Sequence, residues 1–381
     1  MEQAEFDREA LTQILHQRHA SLAVALQTAG VDTLALNPGQ TLTYLTGLEF
    51  HLMERPIMAF FQPHSPMVLV LPELETAKLA QYPLPLQAFT YGENPASWAH
   101  VFRQAAATAG LSPGRVGVEP TRLRVLELWL LSDAAHDAGF VTAEQVVADL
   151  RMIKDEFELA AMQQAVEIAQ KALQAALPAV KIGVSEKEIA AELTLQLLRQ
   201  GSDPTLAFAP IVATGPNSAN PHAVPTHRKL QEGDLLLIDW GARYNGYVSD
   251  LTRTFAIGKV DPELAQIAEV VRQANLAAQA AVRPEISAGM VDQAAREVIA
   301  RGGYGKFFTH RVGHGLGMEE HEPPYMFAEN EAKLLPGMTF TIEPGIYLPE
   351  RGGVRIEDDF VVTQQGGRSL SDLPRELIQL G

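Results

Sequence analysis

Residues 235–255 read LLLIDWGARYNGYVSDLTRTF, and the fold turns on this stretch. Two apolar, partly β-branched runs flank Asn245-Gly246, the strongest short-range hairpin signal a sequence carries. With Asn245 and Gly246 as the two-residue loop, Tyr244 faces Tyr247 and Gly241 faces Asp250. Asp239 lies two residues before Gly241, so it shares that face and is diagonal to Asp250, within side-chain reach. Two carboxylates are therefore aimed at one spot, one of them closing an apolar run. Carboxylates held that close repel unless a proton or a cation lies between them. A pair of solvated turn acids is the competing reading, and the rest of the chain counts against it.

At 381 residues the chain is long for a single core, which predicts two domains. Apolar residues make up 46% and charged residues 20%, an ordinary globular balance. The chain contains no cysteine, so thiol nucleophiles, disulfides and thiolate metal sites are excluded. The acidic, polar start MEQAEFDREA is unlike a signal or transit peptide, and no apolar run is long enough to span a bilayer. A soluble cytoplasmic protein with no membrane partner is the expectation. The net charge of −16 argues against nucleic acid or anionic lipid.

The first part alternates helix with strand. Amphipathic residues 8–29 are followed by strand-like runs at 33–36, 57–61 and 67–71, and by a helical stretch over 73–81. A strand near 86–90, a helix across 96–109 and a strand at 116–118 complete an α/β pattern with a partly parallel sheet. The strongly charged tail Ala148-Asp149-Leu150-Arg151-Met152-Ile153-Lys154-Asp155-Glu156 marks the boundary, giving expected domains over 1–150 and 151–381. Beyond it a long helix starts at Glu156 and stops at Pro178. Ser185 and Glu188 form a capping box ahead of a second helix, Asp261-Pro262 opens a third, and a fourth follows Ser287.

These pieces repeat. VSEKEIAAELTLQLLRQG from Val184 aligns with ISAGMVDQAAREVIARGG from Ile286, and GDLLLIDWG from Gly233 with GMTFTIEPG from Gly337. In that register Asp239 falls on Glu343, and YVSDLTRTF resembles VRIEDDF so that Asp250 falls on Glu357. The offsets of 102, 104 and 107 residues are nearly constant. Duplication predicts two half-domains, each giving two carboxylates to a shared centre. Four converging acids in apolar strands would be mostly protonated without a cation. Two divalent ions about 3.5–4 Å apart would neutralise them, and oxygen ligands with an imidazole suit Mn²⁺, Co²⁺, Fe²⁺ or Zn²⁺. The glycine-rich THRVGHGLG from Thr309 supplies imidazoles, and His310, His314 and His321 cluster beside the acids; His222 is a fourth candidate. No βαβ unit surrounds those glycines, and neither a nucleophile elbow nor a phosphate loop is present. The residues alone read as a two-metal hydrolase acting on a carbonyl or phosphoryl centre.

The segments PHAVPTHRKLQEGDLLLIDWGARYNGYVSDLTRTF, HRVGHGLGMEEHEPP, TFTIEPGIY and GVRIEDDF resemble the proline-peptidase branch of the pita-bread metallopeptidases. That branch holds prolidase (Xaa-Pro dipeptidase) and aminopeptidase P. TLTYLTGL near Thr41 and LRMIKDEFEL near Leu150 extend the resemblance to the smaller N-terminal domain and the joint. It implies an α+β chain: a C-terminal pita-bread (creatinase/aminopeptidase) fold with an internal pseudo-twofold, preceded by an α/β creatinase-N-like domain serving dimerisation and access control. By resemblance, Asp239, Asp250, His314, Glu343 and Glu357 hold two metal ions, Mn²⁺ or Co²⁺ ahead of Zn²⁺ or Fe²⁺. Asp250 and Glu357 would bridge the ions, and Glu343 would also take a proton from the attacking water. His222 and His321 match the substrate histidines and His310 one that recognises the proline side. Arg355 matches a supporting arginine, which alternation places to orient Glu357.

The implied reaction is hydrolysis of the Xaa-Pro imide bond in small peptides with proline second, by a homodimer. Prolidase is the first expectation and aminopeptidase P, acting on longer peptides, the alternative. The segment from His51 to Pro56 is the expected wall limiting substrate length. Creatinase shares the fold but works without metal, and pita-bread binding modules usually lose ligands; the full ligand set speaks against both. Ala223 stands where glycine is more usual, and Trp240 where a smaller aromatic is commoner.

Overall fold

The computed structural model describes residues 2–380, with side chains from residue 8 onward. The chain divides into two compact units, Met1–Arg151 and Met152–Gly381.

In the first unit α1 (Glu2–Ala29), β1 (Thr33–Leu36), α2 (Gln40–Thr46), β2 (Met58–Phe61), β3 (Met67–Pro72), β4 (Leu86–Tyr91), α3 (Trp98–Thr108), β5 (Gly114–Val118), α4 (Val125–Ala134), β6 (Ala138–Thr142) and α5 (Glu144–Arg151) follow in order. The sheet runs β4-β3-β2-β1-β5-β6. β1 is parallel to β5, β5 to β6 and β3 to β4, whereas β2 is antiparallel to both neighbours. The partly parallel sheet expected from the alternation is therefore present. β1, β2 and β3 are buried along their whole length, which is why they read as continuous apolar runs. The stretch expected as a helix over Glu73–Gln81 is instead 3₁₀, and none of its residues is buried. No apolar face pulls it into an α-helix.

The second unit contains α6 (Glu156–Ala176), α7 (Glu186–Arg199), β7 (Ile211–Thr214), β8 (Leu235–Trp240), β9 (Arg243–Tyr244), β10 (Tyr247–Val248), β11 (Leu251–Ile257), α8 (Pro262–Ala281) and α9 (Ala288–Arg301). Then come β12 (Gly313–Gly315), β13 (Glu322–Met326), β14 (Thr339–Ile342), β15 (Gly345–Leu348), β16 (Gly352–Arg355), β17 (Asp358–Thr363), β18 (Gly366–Ser369) and β19 (Ile378–Leu380). One sheet runs β19-β11-β8-β7 and the other β13-β12-β14-β17-β18. They meet where Thr252 bridges Glu357, Glu357 N donating to Thr252 O at 3.1 Å. Each sheet is accompanied by a helix pair, α6 with α7 and α8 with α9, the two half-domains the repeat predicts.

The hairpin forms as its sequence dictates. Tyr244 pairs with Tyr247, and the same register continues to Trp240 opposite Leu251 and Asp239 opposite Thr252. Asn245 and Gly246 both have positive φ, 50° and 82°, as a type I′ loop requires. Gly241 lets the strands close up beside Asp250, because a Cβ there would collide with the Ser249 carbonyl oxygen. Trp240 points the other way, fully buried, and its Nε1 donates to Ala169 O on α6 at 2.9 Å. Its bulk therefore fills the helix–sheet layer, whereas Asp239 faces the opposite side.

Helix starts follow local chemistry. Ser185 caps α7 through the Glu188 box, and Asp261 caps α8 by accepting from Glu263 N. A further box, Asp155 with Glu158, opens α6. The apolar faces of α8 and α9 meet β14, β15 and β17 in one buried cluster that includes Ile267, Val291, Phe340 and Ile346. That cluster is the rigid floor under the site.

Candidate metal centre

Five potential ligands converge from five places in the two sheets. Asp239 lies near the end of β8, and Asp250 sits between β10 and β11. His314 is the middle residue of β12, Glu343 follows β14, and Glu357 precedes β17. The main chain around them is pinned. Asp250 N donates to Asp359 Oδ2 at 3.0 Å, and Glu343 N to Val312 O at 2.7 Å. On α9, Asp292 accepts from Val312 N at 2.9 Å, and Arg296 donates to His310 O at 2.9 Å. That pair clamps the glycine-rich turn on both sides of Arg311.

Ligand atoms of Asp250, His314 and Glu357 lie within 4.8 Å of one another, all three residues buried. His314 Nε2 is 3.4 Å from Glu343 Oε1 and 3.7 Å from Asp250 Oδ2. His314 Nδ1 faces Gly315 O at 3.2 Å; a carbonyl can only accept, so Nδ1 carries the proton and the Nε2 lone pair faces the acids. Burial, and then neighbouring His321, push the His314 pKa well below its usual value, so the ring is neutral. Asp239 stands slightly apart. Its Oδ2 accepts from Arg355 Nη2 at 2.5 Å, while its Oδ1 is buried without a hydrogen-bond partner.

Burial is the main force on the acids, and mutual repulsion adds to it. Burial and then Glu357 and Asp239 hold Asp250 well above the carboxylate range; burial and then Glu343 and Asp239 do the same to Glu357. Burial raises Glu343 to about 7. Without a cation these groups retain protons at neutral pH. A neutral imidazole, clustered carboxylates and an orphaned Asp239 oxygen together form a donor set that a hard or borderline divalent ion satisfies at once. The residues fit a metal.

All nine residues expected at the site, His222, Asp239, Asp250, His310, His314, His321, Glu343, Arg355 and Glu357, line one cavity of about 410 Å³. The His321 ring lies against His314, centroids 3.8 Å apart and ring planes inclined by 33°. His310 Nδ1 donates to Arg311 O at 2.7 Å and its Nε2 meets Tyr347 Oη at 2.9 Å. Burial first, with Arg355 and Arg296 adding repulsion against the carbonyl bond, brings the His310 pKa down to about 4. The neutral Nε2 therefore accepts from Tyr347, whose Oη accepts in turn from Arg355 Nη1 at 2.8 Å. His222 is carried by an exposed loop whose Pro221 O accepts from Arg355 Nη1 at 3.3 Å.

One expectation needs correcting. Arg355 does not orient Glu357 directly. Its Nε donates to Thr252 Oγ1 at 3.1 Å, and Thr252 Oγ1 donates to Glu357 Oε2 at 2.6 Å. The guanidinium itself is committed to Asp239, because β16 brings it under β8. Thr252 and Tyr347 were missed by sequence reasoning, as were Arg311, Phe208 and Ile211 in the cavity wall. Only Thr252 carried a signal: in the hairpin register it sits directly opposite Asp239.

Two pseudosymmetric half-domains that gather buried carboxylates and an imidazole in a cavity define a metallohydrolase of the pita-bread class. The chain belongs to metallopeptidase family M24, whose model matches residues 160–364, with a creatinase/prolidase N-terminal domain over residues 18–153. It is 36% identical over 380 residues to a probable dipeptidase PepE of Mycobacterium tuberculosis, covering 98% of this chain and 97% of that one. It is 41% identical over 248 residues to an Xaa-Pro dipeptidase of Pyrococcus horikoshii, 65% of this chain and 70% of the relative. A crystal structure of a dipeptidase from Pyrococcus horikoshii superposes with a TM-score of 0.89 at 41% identity, covering 95% of this chain and all of that one (100%). Family membership implies a divalent metal. Among the described residues no helix is long and apolar enough to cross a membrane.

Proposed function

We propose that this enzyme is an Xaa-Pro dipeptidase that holds two divalent ions, Mn²⁺ or Co²⁺ ahead of Zn²⁺ or Fe²⁺, in Asp239, Asp250, His314, Glu343 and Glu357. The observation that carries this reading is the buried trio Asp250, His314 and Glu357, with Glu343 against the same imidazole nitrogen and the unpartnered Asp239 oxygen nearby. The names of the relatives support the substrate class.

Bound divalent ions would polarise the scissile carbonyl and lower the pKa of the attacking water. Every other role falls to the chain. Glu343, whose Oε1 lies 3.4 Å from His314 Nε2 on the wall of the cavity, takes the proton of that water and passes it to the proline nitrogen as the bond breaks. That nitrogen belongs to a tertiary amide without an N–H, and like any amide nitrogen it leaves as an amine only with the delivered proton. His222 and His321 donate to the carbonyl oxygen as charge develops on it. Burial, then Arg311 and His222, lower the His321 pKa, so it acts as a neutral N–H donor. His310, held by Tyr347 and Arg311 O, faces the proline side.

The test is a paired assay of Ala-Pro and Ala-Pro-Ala, with Mn²⁺ restored and then with chelator. Cleavage of the dipeptide alone, lost on chelation, is the expected result. Preference for the tripeptide makes the enzyme an aminopeptidase P. Silence on both, with metal bound, overturns the substrate class.

A further inference from the structure

Glu186 is the first residue of α7 and is fully buried, yet it does not line the cavity. Its carboxylate accepts from Thr214 N at 2.7 Å, from Thr226 N at 2.8 Å and from Thr226 Oγ1 at 2.6 Å. Asn217 Nδ2 adds bonds of 3.0 and 3.2 Å to its two oxygens. Every partner is a donor, and every one belongs to the single segment from Thr214 to Thr226. Thr214 ends β7 and forms the near stem of that segment, and Thr226 forms the far stem. The main chain reinforces the join: Glu186 N donates to Arg228 O and Lys187 N to Thr226 O, each at 3.1 Å. One buried carboxylate thus closes the base of an exposed loop.

That loop carries His222. The histidine is exposed, its neighbour Val224 is 77% exposed, and its own N–H is satisfied within the loop by Asn220 Oδ1 at 3.2 Å. On the cavity side the loop is held by Arg355 at Pro221 O and by Ser218, whose Oγ accepts from Gly353 N at 2.9 Å. Ser218 and Ala223 anchor the loop inward, both buried, but His222 itself stands exposed between them, so where its imidazole lies depends on how the stems are fastened. We propose that Glu186 is the positioning residue for His222: from outside the cavity it clasps both stems of the loop and sets where that imidazole meets the substrate. The inference rests on the reading of His222 as a substrate histidine. An ionised carboxylate is the side chain the clasp needs, because it accepts at both oxygens. The amide of glutamine would turn an NH₂ toward Thr214 N or Thr226 N and set donor against donor.

The test is a double-mutant cycle on the metal-loaded enzyme with Glu186→Gln and His222→Ala, read as kcat and KM for Ala-Pro. It is accompanied by bound-metal content and by amide hydrogen exchange. Glu186→Gln is expected to lower kcat/KM between about 10- and 100-fold through displacement of the imidazole. In the His222→Ala background the same change is expected to cost less than about twofold, since the two act as one unit. Amides of 215–225 should exchange faster while those of β8 stay protected, and metal content should hold. Equal losses in both backgrounds, unchanged exchange in the loop, or loss of metal in Glu186→Gln each overturn the proposal. If Glu186→Gln does not fold, Thr226→Val removes one donor at an exposed position and enters the same cycle. Absence of Ala-Pro cleavage by the wild type overturns the peptidase reading, and the exchange measurement then decides the clasp by itself.

Discussion

Asp239 and Arg355 lie 116 residues apart in the chain, yet Nη2 of one donates to Oδ2 of the other at 2.5 Å. The guanidinium side chain is 3% exposed and also serves Thr252, Tyr347 and the Pro221 carbonyl. From β16, Arg355 thus ties two adjacent strands of the first half-domain, β8 and β11, a tyrosine and the His222 loop to one planar group. It also competes with metal for the charge of Asp239.

That competition gives the first prediction. Replacing Arg355 by Met leaves a buried carboxylate unpaired in the metal-free protein, at a cost of about 3–5 kcal/mol. Bound metal can neutralise Asp239 in its place. The metal-free variant should therefore lose far more in Tm than the metal-loaded one, measured by calorimetry with and without Mn²⁺. Equal losses would mean that Asp239 is not a ligand. Arg355→Lys should recover little, because one ammonium cannot serve four differently placed acceptors.

Which parts were legible follows from how local their causes are. Asn245-Gly246 dictates its turn in two residues, and Ser185 with Glu188 its helix start in four, so both were readable. The four acids were readable because a charged residue ending a buried strand violates the apolar pattern around it. α4 was not: VLELWLLSDA is apolar on every side and leaves Trp129 70% exposed, so no amphipathic period marks it. α2 is a single short run of seven residues. Thr252, Tyr347 and Glu186 are ordinary residue types whose partners lie far off in the chain, and their roles exist only once the sheets meet.

Thr252 supplies the second prediction. Its hydroxyl accepts from Arg355 and donates to Glu357, so it transmits the position of the guanidinium to the carboxylate. Thr252→Val keeps shape and volume but removes the relay. Metal affinity should fall about 10–100-fold, as for other groups that orient metal ligands, with a stability loss of about 1–3 kcal/mol from the unsatisfied partners. Titration of the metal-free protein with Mn²⁺ measures the first and urea unfolding the second. Unchanged affinity would reduce Thr252 to a packing role.

The segment from His51 to Pro56 gives the third. It joins α2 to β2 and leaves Leu52 and Met53 45% and 50% exposed. Arg124 on the flank of α4 donates to the Met53 carbonyl. We propose that in a homodimer this segment limits the length of peptide admitted to the partner's site. Deleting it should raise Ala-Pro-Ala cleavage relative to Ala-Pro while the dimer persists in sedimentation. An unchanged length preference would sink the idea.

Protons and metal compete for the same oxygens, and this fixes the sign of the pH dependence. In the metal-free fold burial raises Asp250, Glu357 and Glu343, the last from 4.5 to about 7. A carboxyl raised on folding contributes stability that is complete below its unfolded pKa and is lost as pH climbs through its folded pKa. For Glu343 that window runs from 4.5 to about 7. The imidazoles shift oppositely: His314 is held well below 6.5 and His310 at about 4. They stabilise the fold as pH rises toward 6.5 and partly mask the acids when unfolding alone is measured. Metal binding separates the two, because His314 is already neutral there and only the acids have protons to surrender. Affinity for Mn²⁺ should tighten about tenfold per pH unit for each proton displaced, with the share of Glu343 levelling off near 7 and that of Asp250 and Glu357, which burial holds well above the carboxylate range, continuing at higher pH. The increase in Tm on adding metal should grow over the same window. Calorimetric titration in buffers of different ionisation enthalpy counts the released protons directly. Zero release at pH about 6, where burial keeps the acids protonated, would show that these carboxylates do not bind the metal.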